Sequence, residues 1–489
     1  MKDRLTERIT DVYLITMLLV FPLFFGFSGY AEITLSKYIF FLAATGLWLV
    51  ALLVAAALRQ LRFPSRSPVL IAVGVSAGIF LLSWLFSGDL WRSLVGAGRY
   101  DGLLTSLAYL LCFAGVCAFS RPKLLHVRAF ALAVSLCLLV SLFQLAGGNP
   151  LRLYPRELTF FDHGIRYSGV YLGTIGNTNI LDAVLCLALP VFGGLYIAEG
   201  LRELLIPLVL AVPVFVKALG DGGKLAFLLL LLLAPILLLS DIRRIRRTLR
   251  LSSLLLLAAA LSIWWQPAPG APLRFVYAPA VGWLILAAPV CNALSYMPLA
   301  ASFSPAPRTL RIVFAALAGA GVLAGLTAVL CFPGSSGTLY ELNRLLHGQA
   351  EDSFGSSRIR IWRACLALVP ARPLLGYGPG MLAAHLDIEF SRFVPETGET
   401  LRSFVDNAHS VYLTALVNTG ALGLAALLAQ LALAGKCAAK RLSDPLALSL
   451  ALGAGCAAVH GLFGLGLCLS QPLFWIALGM LCAPDMEKP

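Results

Sequence analysis

The sequence predicts an all-α, polytopic transmembrane helical bundle. Of its 489 residues, 59% are hydrophobic and only 12% are charged, about half the charged share of an ordinary soluble domain. The mean hydropathy is +0.87. Apolar runs of spanning length recur along nearly the whole chain, and backbone groups in lipid must pair within their own segment, so the spans are expected as helices. The net charge of +13 gathers in no basic helix or aromatic-basic patch, so nucleic acid is not an expected partner. The eleven cysteines lie mostly inside apolar runs, with no C-x-x-C pair and no ligand-like Cys/His spacing. No zinc site, disulfide framework or cofactor is expected.

Taken in order, the candidate spans fall at 11–29, 37–58, 68–87, 101–120, 127–146, 179–198, 203–220, 223–240, 250–265, 278–298, 310–332, 409–435, 443–466 and 470–484. Several are short, which puts the expectation at about 12–14 spans. K-D-R-L-T-E-R precedes the first without a small-residue cleavage site, so that span is expected to stay as an anchor. With both termini in the cytoplasm, the inner connectors collect most of the basic residues, among them Arg59, Arg62 and Arg66, then Arg243 to Arg250, then Lys436, Lys440 and Arg441. That is the positive-inside pattern. Short outer connectors hold only Lys37, Arg92, Arg99 and Arg274. The remaining basic residues cluster in three outer places: Arg152, Arg156 and Arg166; Lys217 and Lys224; and a long segment with Arg344, Arg358, Arg360, Arg363, Arg372, Arg392 and Arg402. The chain reads as one integral membrane domain, 1–489, with an extracytoplasmic loop at 333–408 inserted between spans and containing amphipathic helices.

Chemistry-bearing residues concentrate at these outer places. G-T-I-G-N-T-N (Gly173 to Asn179) reads as a loop and cap, glycines permitting left-handed backbone and Asn177 or Asn179 capping the next span. It reads equally as an anion seat, a helix N-terminus beside Arg166. In G-D-G-G-K, Lys224 stands at the mouth of a span, where a single lysine ordinarily snorkels to headgroups; the alternative is a phosphate-facing role. In the long loop, Ser356 or Ser357 is expected to cap a helix whose apolar side is Ile361, Trp362, Cys365, Leu366 and Val369. Arg360 and Arg363 share a face that suits a membrane surface, whereas Arg358 points elsewhere. Pro370 and Pro373 end this helix, and G-Y-G-P-G follows as a rigid close-approach loop. His409 sits at the threshold of the next span with Asp406 and Asn407 just before it. A lone interfacial histidine is ordinarily structural, but near basic residues and a carboxylate that orients it, a neutral imidazole suits a general base. Gly420 and Gly423 in the same span permit close helix packing. Gln144, Asn292 and His460 are single polar residues with structural roles expected.

R-x-x-x-W followed by P-L-L-G-Y-G-P-G, then A-H-S-V-Y-L with N-T-G-A-L-G, resembles the bacterial O-antigen ligase and polymerase family, as does G-T-I-G-N-T-N earlier. The resemblance covers roughly residues 150 to 430, in order. It implies a polytopic glycosyltransferase of the C-type membrane fold in the bacterial cytoplasmic membrane. Such an enzyme moves a glycan from an undecaprenyl pyrophosphate carrier onto a glycan or lipid acceptor at the outer face, without metal. It also implies that His409 carries the motif histidine and Arg358 the arginine of R-x-x-x-W, while Arg166 and Lys224 fall on basic motif positions. Lys224 departs from an arginine in the family pattern, keeping the charge and losing the bidentate geometry. Ser410 stands for asparagine and Thr178 for proline.

The expected mechanism follows. Displacing a diphosphate from an anomeric carbon builds negative charge that fixed cations stabilise. Arg358, Arg166 and Lys224, with Arg360 and Arg363 nearby, are the expected diphosphate contacts. His409 takes the acceptor's proton, with Asp406, Asn177 and Asn179 as support. A polymerase would use the same chemistry on a lipid-linked acceptor. A transporter or lipid flippase would instead show ionisable residues or broken helices at mid-membrane.

Overall fold

The computed structural model describes residues 2–58, 67–155, 158–162, 167–218, 220–297, 307–394 and 398–483. The chain enters through α1 (Lys2–Ile15), a π-helical turn at Thr16–Val20 and α2 (Phe21–Leu23), then α3 (Ile33–Ala57) and α4 (Pro68–Leu85). The short α5 (Leu90–Val95) leads to α6 (Leu103–Phe119) and α7 (Leu124–Leu145). A minimal hairpin, β1 (Tyr171–Leu172) with β2 (Gly176–Asn177), opens α8 (Thr178–Glu199). Five more helices follow: α9 (Leu205–Ala218), α10 (Asp221–Leu238), α11 (Ile242–Trp264), α12 (Pro279–Tyr296) and α13 (Pro307–Leu330). Residues after Leu330 form α14 (Thr338–Leu346), α15 (Phe354–Leu368), α16 (Leu382–His385) and the hairpin of β3 (Glu389–Val394) with β4 (Glu399–Phe404). The chain then closes with α17 (Val411–Ala439), α18 (Pro445–His460) and α19 (Gln471–Cys482).

Among the described residues, nine helices are long and apolar enough to cross a membrane, and three apolar helices (α6, α18 and α19) are shorter. Every expected apolar run coincides with a helix, but several are shorter than the run. Gly461 to Ser470, expected as helix in part, is irregular between α18 and α19. Leu465, Leu467, Cys468 and Leu469 in it are buried, and burial in protein is what makes irregular backbone tolerable at such depth. The core is built on α8, whose window is 94% buried, whereas α13 buries none of its own. Exposed Leu231, Leu233, Ile285, Leu317 and Leu323 give the periphery a surface that only lipid solvates well.

At one end of the bundle, arginines of α11 close neighbouring helices. Arg247 Nη1 donates to Ile197 O at 3.0 Å behind α8, Arg244 to Leu238 O at 3.3 Å behind α10, and Arg246 to Met297 O at 3.2 Å behind α12. Cations at helix C-termini satisfy orphan carbonyls and the dipole together. Lys37, expected in an outer connector, lies within α3, fully buried, its Nζ donating to Phe21 O at 2.8 Å and Pro22 O at 3.2 Å.

The opposite end carries the segment 333–408, which has its own small core. Ile361 and Cys365 of α15 bury against Leu382, Leu386, Ile388, Val405 and Ala408, with Val417 below and Trp362 and Val369 alongside. The apolar face of α15 is thus covered by protein rather than by a membrane surface, and only Leu366 of the expected stripe stays exposed. Two further expectations change here. The fold is not purely helical, since β3 and β4 pair in this segment. Ser356 and Ser357 do not cap a helix: with Gly355 they hold left-handed backbone (φ 58° and 65°), and regular helix starts at Arg358.

G-Y-G-P-G joins this segment to the bundle. Gly376, Gly378 and Gly380 all have positive φ, and a Cβ on Gly376 would lie 2.4 Å from Val417 O. Gly420 breaks α17 (φ 68°, ψ −171°). Backbone from the loop repairs the gap: Tyr377 and Gly378 N–H reach Val417 and Asn418 O, while Ala421 and Leu422 N–H reach Pro373 and Leu374 O. Gly420 is therefore a break filled by loop backbone, not half of a helix-packing groove.

Candidate functional site

Four chain segments meet where the loop segment rests on the bundle. The first is the turn before α6, with Arg99 and Asp101. The second is the start of α8 and α10, with Asp182 and Lys224. The third is the first turn of α15, with Arg358, and the fourth is Asp406 to His409.

His409 has left-handed backbone (φ 50°), and its N–H donates to Asn407 Oδ1 at 2.9 Å. Such a conformation is strained in a residue with a Cβ and persists where surroundings fix it. What fixes it is visible next door: Trp362 Nε1 donates to Ala408 O at 2.9 Å. Trp362 lies one turn after Arg358, so R-x-x-x-W reads as one helix face that supplies a cation and clamps the backbone beside the imidazole. His409 Nδ1 is buried with no hydrogen-bond partner in the protein. Burial, then the Arg358 and Arg99 charges, lower its pKa to about 4, while Asp406 acts in the other direction.

Arg358 Nη1 donates to Gly355 O at 2.8 Å, and its Nε is buried without a partner. The turn presenting it is anchored by Gly355 N–H on Glu341 Oε2 of α14 at 2.8 Å. Burial lowers the Arg358 pKa, opposed by the carboxylates of Asp221 and Asp182. Asp182, one turn into α8, accepts the Gly220 N–H at 2.6 Å. Lys224 is half-exposed with its Nζ 3.5 Å from Asp221 Oδ1. Asn177 caps α8, its Oδ1 accepting the Asn179 N–H at 2.9 Å, and Asn179 faces Gly220. Arg166 lies outside the described residues.

Arg360 and Arg363 have other partners. The Arg360 guanidinium lies 5.6 Å from the Phe390 ring centre, and Arg363 meets Asp352 at 2.5 Å. Both are exposed, and neither acts on His409 as Arg358 does. Asp406, expected to orient the imidazole, is instead held by Arg99, whose Nε lies 2.6 Å from Asp406 Oδ2. Burial opposes the Arg99 charge, but Asp406, with Tyr171 and Asp101 adding, outweighs it and the pKa is raised. Asp101 sits two residues on, its pKa raised to about 6 by burial, with Asp406 adding and its own backbone N–H and Arg99 opposing.

Sequence reasoning missed Arg99 and Asp101. A single arginine in a short connector carries no motif, and its partner lies 307 residues away. The one available signal was R-Y-D-G ahead of an apolar run. Tyr100 there has positive φ (60°), so Arg99, Arg358 and His409 each sit at or beside left-handed backbone. Among the described residues, no group of three or more His, Cys, Asp or Glu could hold a metal ion.

Chemically, the arrangement offers a neutral, unpartnered imidazole nitrogen in the field of two guanidinium groups, with a third cation at the start of α10. It suits a polyanion bound beside a hydroxyl that loses its proton. No protein-family model matches the chain, and no curated protein matches it.

Proposed function

We propose that the protein is a membrane glycosyltransferase of the C-type fold that moves a glycan from a polyprenyl diphosphate carrier onto a hydroxyl-bearing acceptor at the outer face of a bacterial cytoplasmic membrane. The observation that carries the reading is the buried His409 Nδ1, left without a partner in the field of both Arg358 and Arg99. An imidazole held neutral between cations is poorly placed to keep a proton until an anion arrives.

The acceptor oxygen attacks the anomeric carbon as the bond from that carbon to the diphosphate oxygen breaks. The diphosphate leaves with the electron pair, and His409 takes the hydroxyl proton. Arg358 and Lys224 stabilise the charge growing on the leaving group, a role the sequence also assigns to Arg166. The donor's negative charge offsets the cations that depress His409, so its basicity rises once the donor binds. Direct attack inverts the anomeric centre. An undecaprenyl tail would lie against the apolar periphery.

The break at Gly420 favours a transporter at first sight, because broken helices build transport sites at mid-membrane. Its position argues otherwise. Residues 421–439 after the break rise about 28 Å, nearly the whole hydrocarbon thickness, so the break lies at the bundle's edge.

Reconstitution with an undecaprenyl-pyrophosphate-linked glycan tests the proposal. His409→Ala and Arg358→Lys should each abolish transfer while leaving membrane expression intact, and normal product from both would end the assignment. A ladder of lengthening products would mark a polymerase, and a single conjugate a ligase.

A further inference from the structure

Three consecutive residues ahead of Arg358 hold left-handed backbone: Gly355 (φ 62°, ψ 37°), Ser356 (φ 58°, ψ 48°) and Ser357 (φ 65°, ψ 17°). Glycine takes that conformation freely. Each serine is strained in it, and such a run persists only where contacts hold it. Both backbone polar groups of Gly355 are engaged. Its N–H donates to Glu341 Oε2 at 2.8 Å, and its carbonyl accepts Arg358 Nη1 at 2.8 Å. The carboxylate grips the turn from one side and the guanidinium from the other. A backbone N–H on an ionised carboxylate is among the stronger hydrogen bonds in proteins.

Glu341 belongs to α14, and α14 also touches the turn that carries the other cation. Thr338, one helical turn earlier on the same face, donates from Oγ1 to Asp221 Oδ2 at 3.2 Å. Asp221 opens α10, lies 3.5 Å from the Lys224 ammonium and acts on the Arg358 charge. Asn343 fastens the same helix to the end of α13, its Nδ2 donating to Val329 O at 2.8 Å and Leu330 O at 2.9 Å. A nine-residue helix thus bridges the starts of α10 and α15. Core packing does not explain it, since none of its residues is fully buried. What it supplies is geometry.

We infer that Glu341 is a positioning residue for Arg358: it holds the left-handed turn that fixes where the guanidinium stands relative to Lys224. That these two cations meet a diphosphate rests on the transfer reading above; the positioning itself does not.

The test treats the full-length protein in nanodiscs with phenylglyoxal, which modifies accessible guanidinium groups, and reads the rate at each arginine by mass spectrometry. Arg358 is partly buried whereas Arg360 and Arg363 are exposed, so Arg358 should react more slowly in the wild type. Glu341→Ala should speed modification of Arg358 about tenfold, the effect of one lost hydrogen bond, and leave Arg360 and Arg363 unchanged. Glu341→Gln keeps an acceptor oxygen at the same reach and should behave as wild type. Glu341→Ala/Ser357→Gly should return toward the wild-type rate, because glycine takes left-handed backbone without strain. If Glu341→Ala alone fails to fold, restored folding in the double variant is the expected result and its failure overturns the inference. In the transfer assay Glu341→Ala should lower kcat about tenfold and Glu341→Gln should retain it. An Arg358 rate unmoved by Glu341→Ala overturns the inference, as does a Glu341→Gln variant that reacts like Glu341→Ala. Arg358 released by Glu341→Ala and not by Glu341→Gln, with no transfer by the wild type from any polyprenyl diphosphate donor, keeps the positioning role and overturns the transfer reading.

Discussion

At the scale of single residues, the site works by opposed charges around one imidazole. Burial first, then Arg358 and Arg99, push protons off His409, and Asp406 pulls them on. With a pKa of about 4 in the free protein, the imidazole is neutral above roughly pH 5. The acid limb of kcat/KM, which reports the free enzyme, should therefore fall only as pH drops through about 4. On the proposed transfer reading the limb of kcat should lie higher, because a bound diphosphate would offset the cations. Initial rates between pH 4 and 8 check both. The signs extend to variants: Arg99→Ala should move the kcat/KM limb to higher pH, and Asp406→Asn to lower pH. A limb that stays fixed in both would remove the pair from the site. His409 and Arg358 were legible in the sequence because each sits in a compact local pattern. Arg99 was not, because its meaning depends on a contact made across most of the chain.

At the scale of elements, the bent and broken pieces hold the geometry. A Cβ on Gly420 would lie 2.2 Å from Leu374 O on left-handed backbone, so Gly420→Ala should cost at least about 2 kcal/mol of stability and lower activity with it. Gly435→Ala in the same helix, where nothing lies within 4 Å, should be neutral or slightly stabilising. Paired thermal melts of the purified variants decide this. Trp362→Phe keeps the ring and loses the bond to Ala408 O. It should reduce kcat about tenfold, the effect of one hydrogen bond on His409 positioning, with little change in expression. The sequence made the close approach of G-Y-G-P-G legible, because three glycines in five residues have few other uses. It hid the break in α17, because a glycine inside an apolar run looks the same whether the helix continues or stops.

At the scale of the whole molecule, hydrophobicity alone was enough to find the helices, since each apolar run must bury or face lipid whatever its neighbours do. It could not give their lengths. α19 is twelve residues long because Gly461 to Ser470 packs as irregular chain among the other helices, a tertiary outcome without a local signature. Orientation can be tested directly. Cys331 is exposed at the end bearing the loop segment, and Ser240 lies at the arginine-rich end beside α11. A membrane-impermeant maleimide applied to intact spheroplasts should label Cys331 in the native chain. In a Cys331→Ser/Ser240→Cys variant it should label only after lysis, and the reverse pattern would invert the topology.

The private core beneath α15 has a practical corollary. Arg358 and Trp362 share one helix, and Trp362 is bonded to the backbone beside His409, so Phe354 to Ser410 amounts to a cassette whose socket is the interruption at Gly420. Chimeras that exchange cassette and socket together should stay active, and those that split them should assemble yet fall silent.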